Sequence, residues 1–499
     1  MLKDATLLPT VVMAPALIAC TSLLARGRAV RLLATLGALT AGAGFVAAGT
    51  LITRNVVGAD MAVAGDRIVG LAADNLSLVL LLLVFGVSAV VQAFAIKYLA
   101  GDPRAGRFTS AAGLLTAASA ALVTADTLIT LAISWTAAGA ALCLLLGMYW
   151  HLPSARDGVR RTATAFVIGD AALWLAVAMV AARTGDVGID ALREIDGAYG
   201  AVVAVLVIIA ALSRSAQIPF HRWLPATLSA PTPVSALLHA GVVNAGGILL
   251  IRLSALTAAD AAAVLIILAG VASMVYGGLV SLVKPDVKGA LAFSTMAQMG
   301  FMMFTVGMGL WAAAVIHLVA HGFYKATLFL SSGSALAHRL REAAVPTPPP
   351  PTGGRQAALL ATSVALPLGA LAGAVAMVPG AGDHASGLAL LLFAWATGAA
   401  ATRGWLRRQW SAAGIGTAAM ALILAALGYL AVITGLTDFL APALPPEELS
   451  ARVVATVTLT ALTMLAGFSA LRWSPAQAGL YSRALAAGHL DPREKGVRP

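Results

Sequence analysis

The sequence predicts an all-α polytopic membrane protein of about fifteen transmembrane helices. Composition is the first reason: of 499 residues, 60% are hydrophobic and 11% charged, where soluble proteins carry roughly 25% charged residues. One water-soluble globule cannot hide so much apolar surface, whereas a bilayer takes about 20 apolar residues at every crossing. Charge is the second reason. The 32 Lys+Arg against 21 Asp+Glu give +11, and a polytopic protein runs basic because its cytoplasmic loops collect Lys and Arg. Membrane topology explains this excess better than nucleic-acid binding does. The two cysteines, Cys20 and Cys143, both fall in apolar stretches, so neither a disulfide framework nor a zinc cluster is expected.

The chain opens with no basic run ahead of its first apolar segment, which reads as a first span rather than a cleaved signal. Runs long enough to cross follow near 5–25, 32–53, 75–96, 109–125, 128–150, 162–182 and 199–218. Eight more lie near 232–256, 261–283, 289–308, 310–337, 356–378, 386–402, 411–434 and 453–471. The basic clusters follow odd-numbered runs, as with Arg26, Arg28 and Arg31 after the first, Lys97, Arg104 and Arg107 after the third, and Arg403, Arg407 and Arg408 after the thirteenth. Acids gather on the opposite side, at Asp60 and Asp66 and from Asp186 to Asp196. The expected topology has its N-terminus outside and its C-terminus in the cytoplasm of a bacterial inner membrane. Five segments are expected: N-terminal helices over 1–108, a core over 109–340, a Pro-rich linker over 341–355, further helices over 356–473 and a basic tail over 474–499. No P-loop, no G-x-G-x-x-G after a strand and no G-x-S-x-G occurs, so nothing points to a nucleotide site or a hydrolase elbow.

An ionisable group inside a transmembrane helix is expensive and marks function by default. Every Glu falls in a loop or the tail, and Asp170 is the one acid well inside a predicted span, suited to a proton pathway or an ion pair. Arg214 ends the seventh run just before Pro219. An arginine does not usefully release its proton, so its expected role is that of a fixed charge. Lys325 sits mid-helix, and His317 and His321 precede it at four-residue spacing, so the three share one face. Two histidines at that spacing also suit a metal, but no Cys or Glu lies near to complete a site. A proton relay is the better reading, since imidazole both donates and accepts. His239, beside Asn244 and the glycines Gly241, Gly246 and Gly247, joins the same row.

At these residues the sequence resembles a known family. SAQIPFHRWLPATLSAPTPVSALLHAGVVNAGGILLIRL, KGALAFSTMAQMGFM and HLVAHGFYKATLFLSSGSAL are similar to blocks of the proton-translocating antiporter-like subunits of respiratory complex I and of Mrp-type cation/proton antiporters. The resemblance covers roughly residues 70–340. It implies two inverted five-helix repeats, the first over about 109–257 and the second from about 261, with broken helices around an axis of charged residues and water. It also implies a proton pathway through Asp170, His239, Lys288, His317, His321 and Lys325, with Arg214 standing where relatives carry lysine. Relatives have Glu where this chain has Thr136 and Asp where it has Ala226, and the lysine of their second broken helix has no counterpart after residue 356. The form APTPVSALLHAGVVNAGGILLIRL, the loop IKYLAGDPRAGRF and the short length look most like the DabB family, membrane subunits of two-component DAB inorganic-carbon accumulation complexes. That resemblance implies a soluble, zinc-containing partner of the DabA type, related to carbonic anhydrases, on which CO2 is hydrated to bicarbonate at the expense of the proton-motive force. No cofactor, metal or enzymatic centre is then expected in this chain. A module of a complex-I-like or Mrp assembly is the alternative, and a passive membrane anchor is a third reading.

Overall fold

Runs of apolar residues this long satisfy their backbone groups internally by becoming helices, and helices are what the computed structural model contains almost throughout. It describes residues 2–56, 63–65, 68–257, 260–334, 341, 353–380, 385–446 and 477–488. Helices α1 (Leu2–Leu24) and α2 (Arg28–Val56) lead to a two-stranded antiparallel pair, β1 (Val63–Gly65) and β2 (Gly70–Ala72), with Ala64 opposite Leu71. This hairpin departs from the expected all-α fold. Then follow α3 (Asn75–Tyr98), α4 (Ala105–Val123), α5 (Leu128–Leu146), α6 (Pro153–Thr184) and α7 (Gly197–Arg214). The next run is interrupted into α8 (Thr232–Ala240), α9 (Ala245–Arg252) and the short α10 (Ser254–Thr257). Three long helices come next, α11 (Asp260–Val283), α12 (Val287–Gly307) and α13 (Trp311–Leu330). Finally come α14 (Gly353–Met377), α15 (Ala385–Arg408), α16 (Ala412–Leu440) and α17 (Gln477–Gly488).

Among the described residues, twelve helices are long and apolar enough to cross a membrane. The chain is a multi-pass membrane protein. Helices α4 and α15, of 19 and 24 residues, occupy two further expected runs but are diluted by Ala, Gly, Ser and Thr. The fifteenth expected run, near 453–471, lies outside the described residues, as does most of the Pro-rich linker; of the basic tail, α17 is described. Several helix starts were written in the sequence. Asp74, Thr127, Asp286 and Ser411 cap α3, α5, α12 and α16 by accepting the backbone N–H three residues on, which satisfies donors a helix start leaves free.

The chain forms two compact units. The first comprises Met1–Met308, His317–Ser332 and Gly467–Pro499. Within it α11 packs on α12 at backbone range, since a Cβ added at Gly270 would meet the Gly300 carbonyl at 2.7 Å. Small residues permit such close helix contact in a membrane, where no hydrophobic drive exists between helices. The second unit, Gly309–Ile316 with Gly333–Ala466, centres on Ala370, Leu371 and Ala374 of α14 against Ala426 and Leu430 of α16. Trp395 of α15 donates its indole N–H to the Val364 carbonyl, 3.1 Å, and Tyr429 of α16 donates its hydroxyl to that of Leu390, 2.9 Å.

Candidate functional site

The site is built around the interruption between α8 and α9. At Gly241 the backbone turns to φ −119°, ψ −71°, a 3-10 turn runs over Val242–Asn244, and the helix resumes at Ala245. A break of this kind leaves carbonyls without helical donors, which is tolerated in a membrane only where side chains or water replace them. Here Ser215, just past α7, donates its hydroxyl to the Val243 carbonyl at 2.6 Å, and Asn244 donates its amide to Ala240 at 2.8 Å. Ser215→Ala should strand the Val243 carbonyl and destabilise the protein by about 1–3 kcal/mol. A lower midpoint of thermal unfolding in detergent checks this.

Arg214, the last residue of α7, is 1% exposed. Its guanidinium donates to the Asp170 carboxylate at 2.8 Å and to the Trp135 carbonyl at 3.1 Å. It lies 4.4 Å from the Trp135 ring and 4.1 Å from that of Phe166, a geometry in which the ring faces attract the cation. Space for it comes from Gly139 of α5, where a Cβ would sit 2.9 Å from the guanidinium nitrogen. The pair is thus fixed on three sides. Thr136, one residue after Trp135, accepts the indole N–H of Trp174 at 3.1 Å. Beside Arg214 lies a cavity of about 50 Å³ whose wall includes Ser88, Thr116, Ala240, Gly241 and Asn244. One water needs roughly 10–15 Å³ by this measure, so the cavity admits a few.

The second cluster joins α8 to α13. The His321 ring donates from Nε2 to the His239 carbonyl at 3.2 Å, a tautomer assigned from this bond, and its Nδ1 is a buried acceptor with no protein partner. The His239 ring stacks on Phe329 at 4.4 Å, and its own Nδ1 also has no protein partner. His317 lies 5.8 Å from His321, centroid to centroid, and edge-on to Phe301 at 5.1 Å. Lys325, 1% exposed, donates to Ser294 Oγ at 3.1 Å. Lys288 donates instead to the Ala230 carbonyl at 3.0 Å, ahead of α8. Outside the spans, burial and then the neighbouring Arg222 hold the His221 imidazole below its ordinary range, against a backbone hydrogen bond at Pro219 that raises it.

The residues singled out from sequence thus divide into the pair Asp170 and Arg214, the row His239, His321 and His317 with Lys325 four residues on, and Lys288 by itself. Among the described residues no group of three or more His, Cys, Asp or Glu converges on a point a metal ion could occupy. Sequence reading missed a second ion pair. Arg252, ending α9, bonds Asp74 at 2.7 Å and also donates to Ser77 Oγ and the Val123 carbonyl. The signal was Arg252 itself, a base within the eighth predicted run.

Comparison with known proteins follows the same residues. Residues 125–346 match the family described as NADH:quinone oxidoreductase/Mrp antiporter, transmembrane, and residues 67–109 match the N-terminus of chain 5 of NADH-ubiquinone oxidoreductase, complex I. The stretch 125–346 is what is similar to this antiporter family. It holds both clusters just described. "Probable inorganic carbon transporter subunit DabB1" of Halothiobacillus neapolitanus is 36% identical over 287 residues, 55% of this chain and 51% of that protein. "NADH-quinone oxidoreductase subunit L" of Mycobacterium tuberculosis is 34% identical over 281 residues, 55% of this chain and 44% of that protein. The matches span about half the length of these curated relatives. The solved Mrp complex of Dietzia sp. shares the fold, with a TM-score of 0.62 at 24% identity over 97% of this chain and 59% of that one.

Proposed function

We propose that this chain is the proton-conducting membrane subunit of a two-component inorganic-carbon accumulation complex, in which proton flow drives CO2 hydration on a soluble, zinc-containing partner. The observation that carries the reading is the buried row His239, His321 and Lys325, in which two imidazole nitrogens have no protein partner and the Lys325 ammonium follows one helical turn beyond His321. Such a row suits a proton and offers a metal cation no ligand set. The likeness to DabB1 supports carbon as the coupled substrate, and so does Thr136, a hydroxyl bonded to Trp174, at the position where the resemblance to respiratory and Mrp subunits implies a glutamate. Protons would enter at the acidic loops and leave at the basic ones, with the C-terminus in the cytoplasm of the inner membrane. Each charge moved is worth about 2.3 kcal/mol per 100 mV, ample to bias a near-balanced hydration. The hydration chemistry belongs to the partner.

The 34% identity to a quinone-oxidoreductase subunit supports a second reading, a module of a complex-I-like or Mrp assembly. A mild-detergent pull-down of the tagged protein from its own host, with mass spectrometry and a zinc assay, separates the two. A stoichiometric zinc-containing soluble partner is expected. Recovery of quinone-reductase or Mrp subunits without zinc would overturn the carbon reading.

A further inference from the structure

Three buried polar side chains that the proposed pathway does not use stand in line between α3 and α4. Gln92, Ser88 and Thr116 are 3%, 2% and 3% exposed. Thr116 gives its only hydroxyl proton to the Ala112 carbonyl at 2.7 Å, so in its 2.6 Å contact with Ser88 it is Ser88 that donates. Ser88 in turn accepts the Gln92 amide N–H at 2.8 Å. The direction of the thread is therefore fixed, from Gln92 to Ser88 to Thr116. Its two ends open on different spaces. Ser88 and Thr116 line the cavity that holds Arg214 and Asn244. Gln92 lines another, larger cavity of about 800 Å³, walled by Arg26, Arg31 and Lys97 with Asp102 as its acid.

We propose that Gln92 is a gate between the basic vestibule and the Arg214 cavity, and that Ser88 and Thr116 are the hydroxyls through which protons pass once Gln92 swings aside. This inference rests on the proton-conduction reading above. A hydroxyl relays a proton because it donates and accepts through one oxygen. A primary amide does not, since handing on its N–H proton needs the unfavourable imidic-acid form. In the arrangement seen, the amide occupies the Ser88 acceptor and closes the thread to vestibule water. Two features let the gate move and return. Gln92 Oε1 is buried without a protein partner, so the amide is held by one hydrogen bond. Gly37 of α2 faces that oxygen, and a Cβ there would stand 2.7 Å from it, so the bare backbone of α2 is what admits the amide and offers it no hydrogen bond to break. The vestibule carries three basic side chains to one acid, a field that draws anions to the mouth of the thread.

The test uses the full chain in proteoliposomes with Cys20 and Cys143 replaced by Ser. Ser88→Cys is added with either Gln92 or Gln92→Ala, and an anionic methanethiosulfonate is applied from the side of the basic loops. Labelling at least tenfold faster with Gln92→Ala is expected, and equal rates overturn the gate. In the background that retains Ser88, Gln92→Ala should raise proton flux and Thr116→Val should lower it tenfold; flux unmoved by both overturns the thread. Faster labelling with no proton flux in any variant keeps the water path and overturns proton conduction, so the two failures are distinct. If Gln92→Ala loses its monodisperse elution profile, Gln92→Ser carries the same comparison.

Discussion

Lys325→Ala is expected to lower proton flux in proteoliposomes by roughly 10²-fold, the size of contribution typical of a positioned proton-transfer group, and to abolish carbon uptake in the host at normal expression. The side chain is buried in α13, four residues beyond His321, and its ammonium reaches Ser294 Oγ at 3.1 Å. A charged ammonium only donates, so passing a proton through this point requires Lys325 to release one and take another up. Alanine removes that step. It also removes a buried charge whose hydrogen-bond partners are neutral, so folding is not expected to suffer, and elution as a single species checks this. Lys325→Arg sharpens the result. Arginine keeps a positive charge at the same place but does not give up its proton, so it should conduct as poorly as alanine if Lys325 is a relay. If the lysine acted only as a fixed charge, arginine would restore flux. Unchanged flux in both variants would sink the relay and leave the passive-anchor reading standing.

The ionisable part of the site was legible because such groups are rare in membrane helices. Asp170, Arg214, His239 and Lys325 stood out singly, and the four-residue spacing from His317 to Lys325 set three of the groups on one face before any helix was seen. What the spacing did not contain was the partner of that face, the His239 carbonyl, 82 residues back in the chain. The hydroxyls were illegible for a different reason. Thr109, Thr116 and Thr162 all bond the carbonyl four residues behind them, a habit of Ser and Thr in helices generally. Only tertiary packing tells Thr116, which also meets Ser88, from its neighbours. Arg252 escaped because at the end of a span an arginine ordinarily reaches the interface, whereas here it folds back onto Asp74. The helices themselves follow from apolar length, and the hairpin β1–β2, with three residues to a strand, is too short to show an alternating pattern.

Asp170→Asn should be the most damaging conservative change in the first half of the core. Arg214 is buried with its charge balanced by one carboxylate at 2.8 Å, and its other contacts, the Trp135 carbonyl and two ring faces, carry no net charge. Removing one partner of a buried ion pair leaves the other uncompensated at a cost of about 3–5 kcal/mol, while replacing both by neutral groups is often near neutral for folding. The expected pattern in detergent is therefore non-additive. Asp170→Asn unfolds well below the unsubstituted protein, and Asp170→Asn with Arg214→Met regains most of the loss. Flux should separate from stability in the double variant. If the pair merely holds α6 to α7, a refolded double variant conducts normally. If its field orders the water in the adjoining cavity, the double variant folds and fails to conduct. Gly139→Ala supplies the geometric control, since its added methyl would stand 2.9 Å from the guanidinium. It displaces Arg214 from Asp170 without deleting either charge, and it should reproduce part of the destabilisation; a midpoint unchanged by Gly139→Ala would mean that the position of the guanidinium is not what this pair contributes.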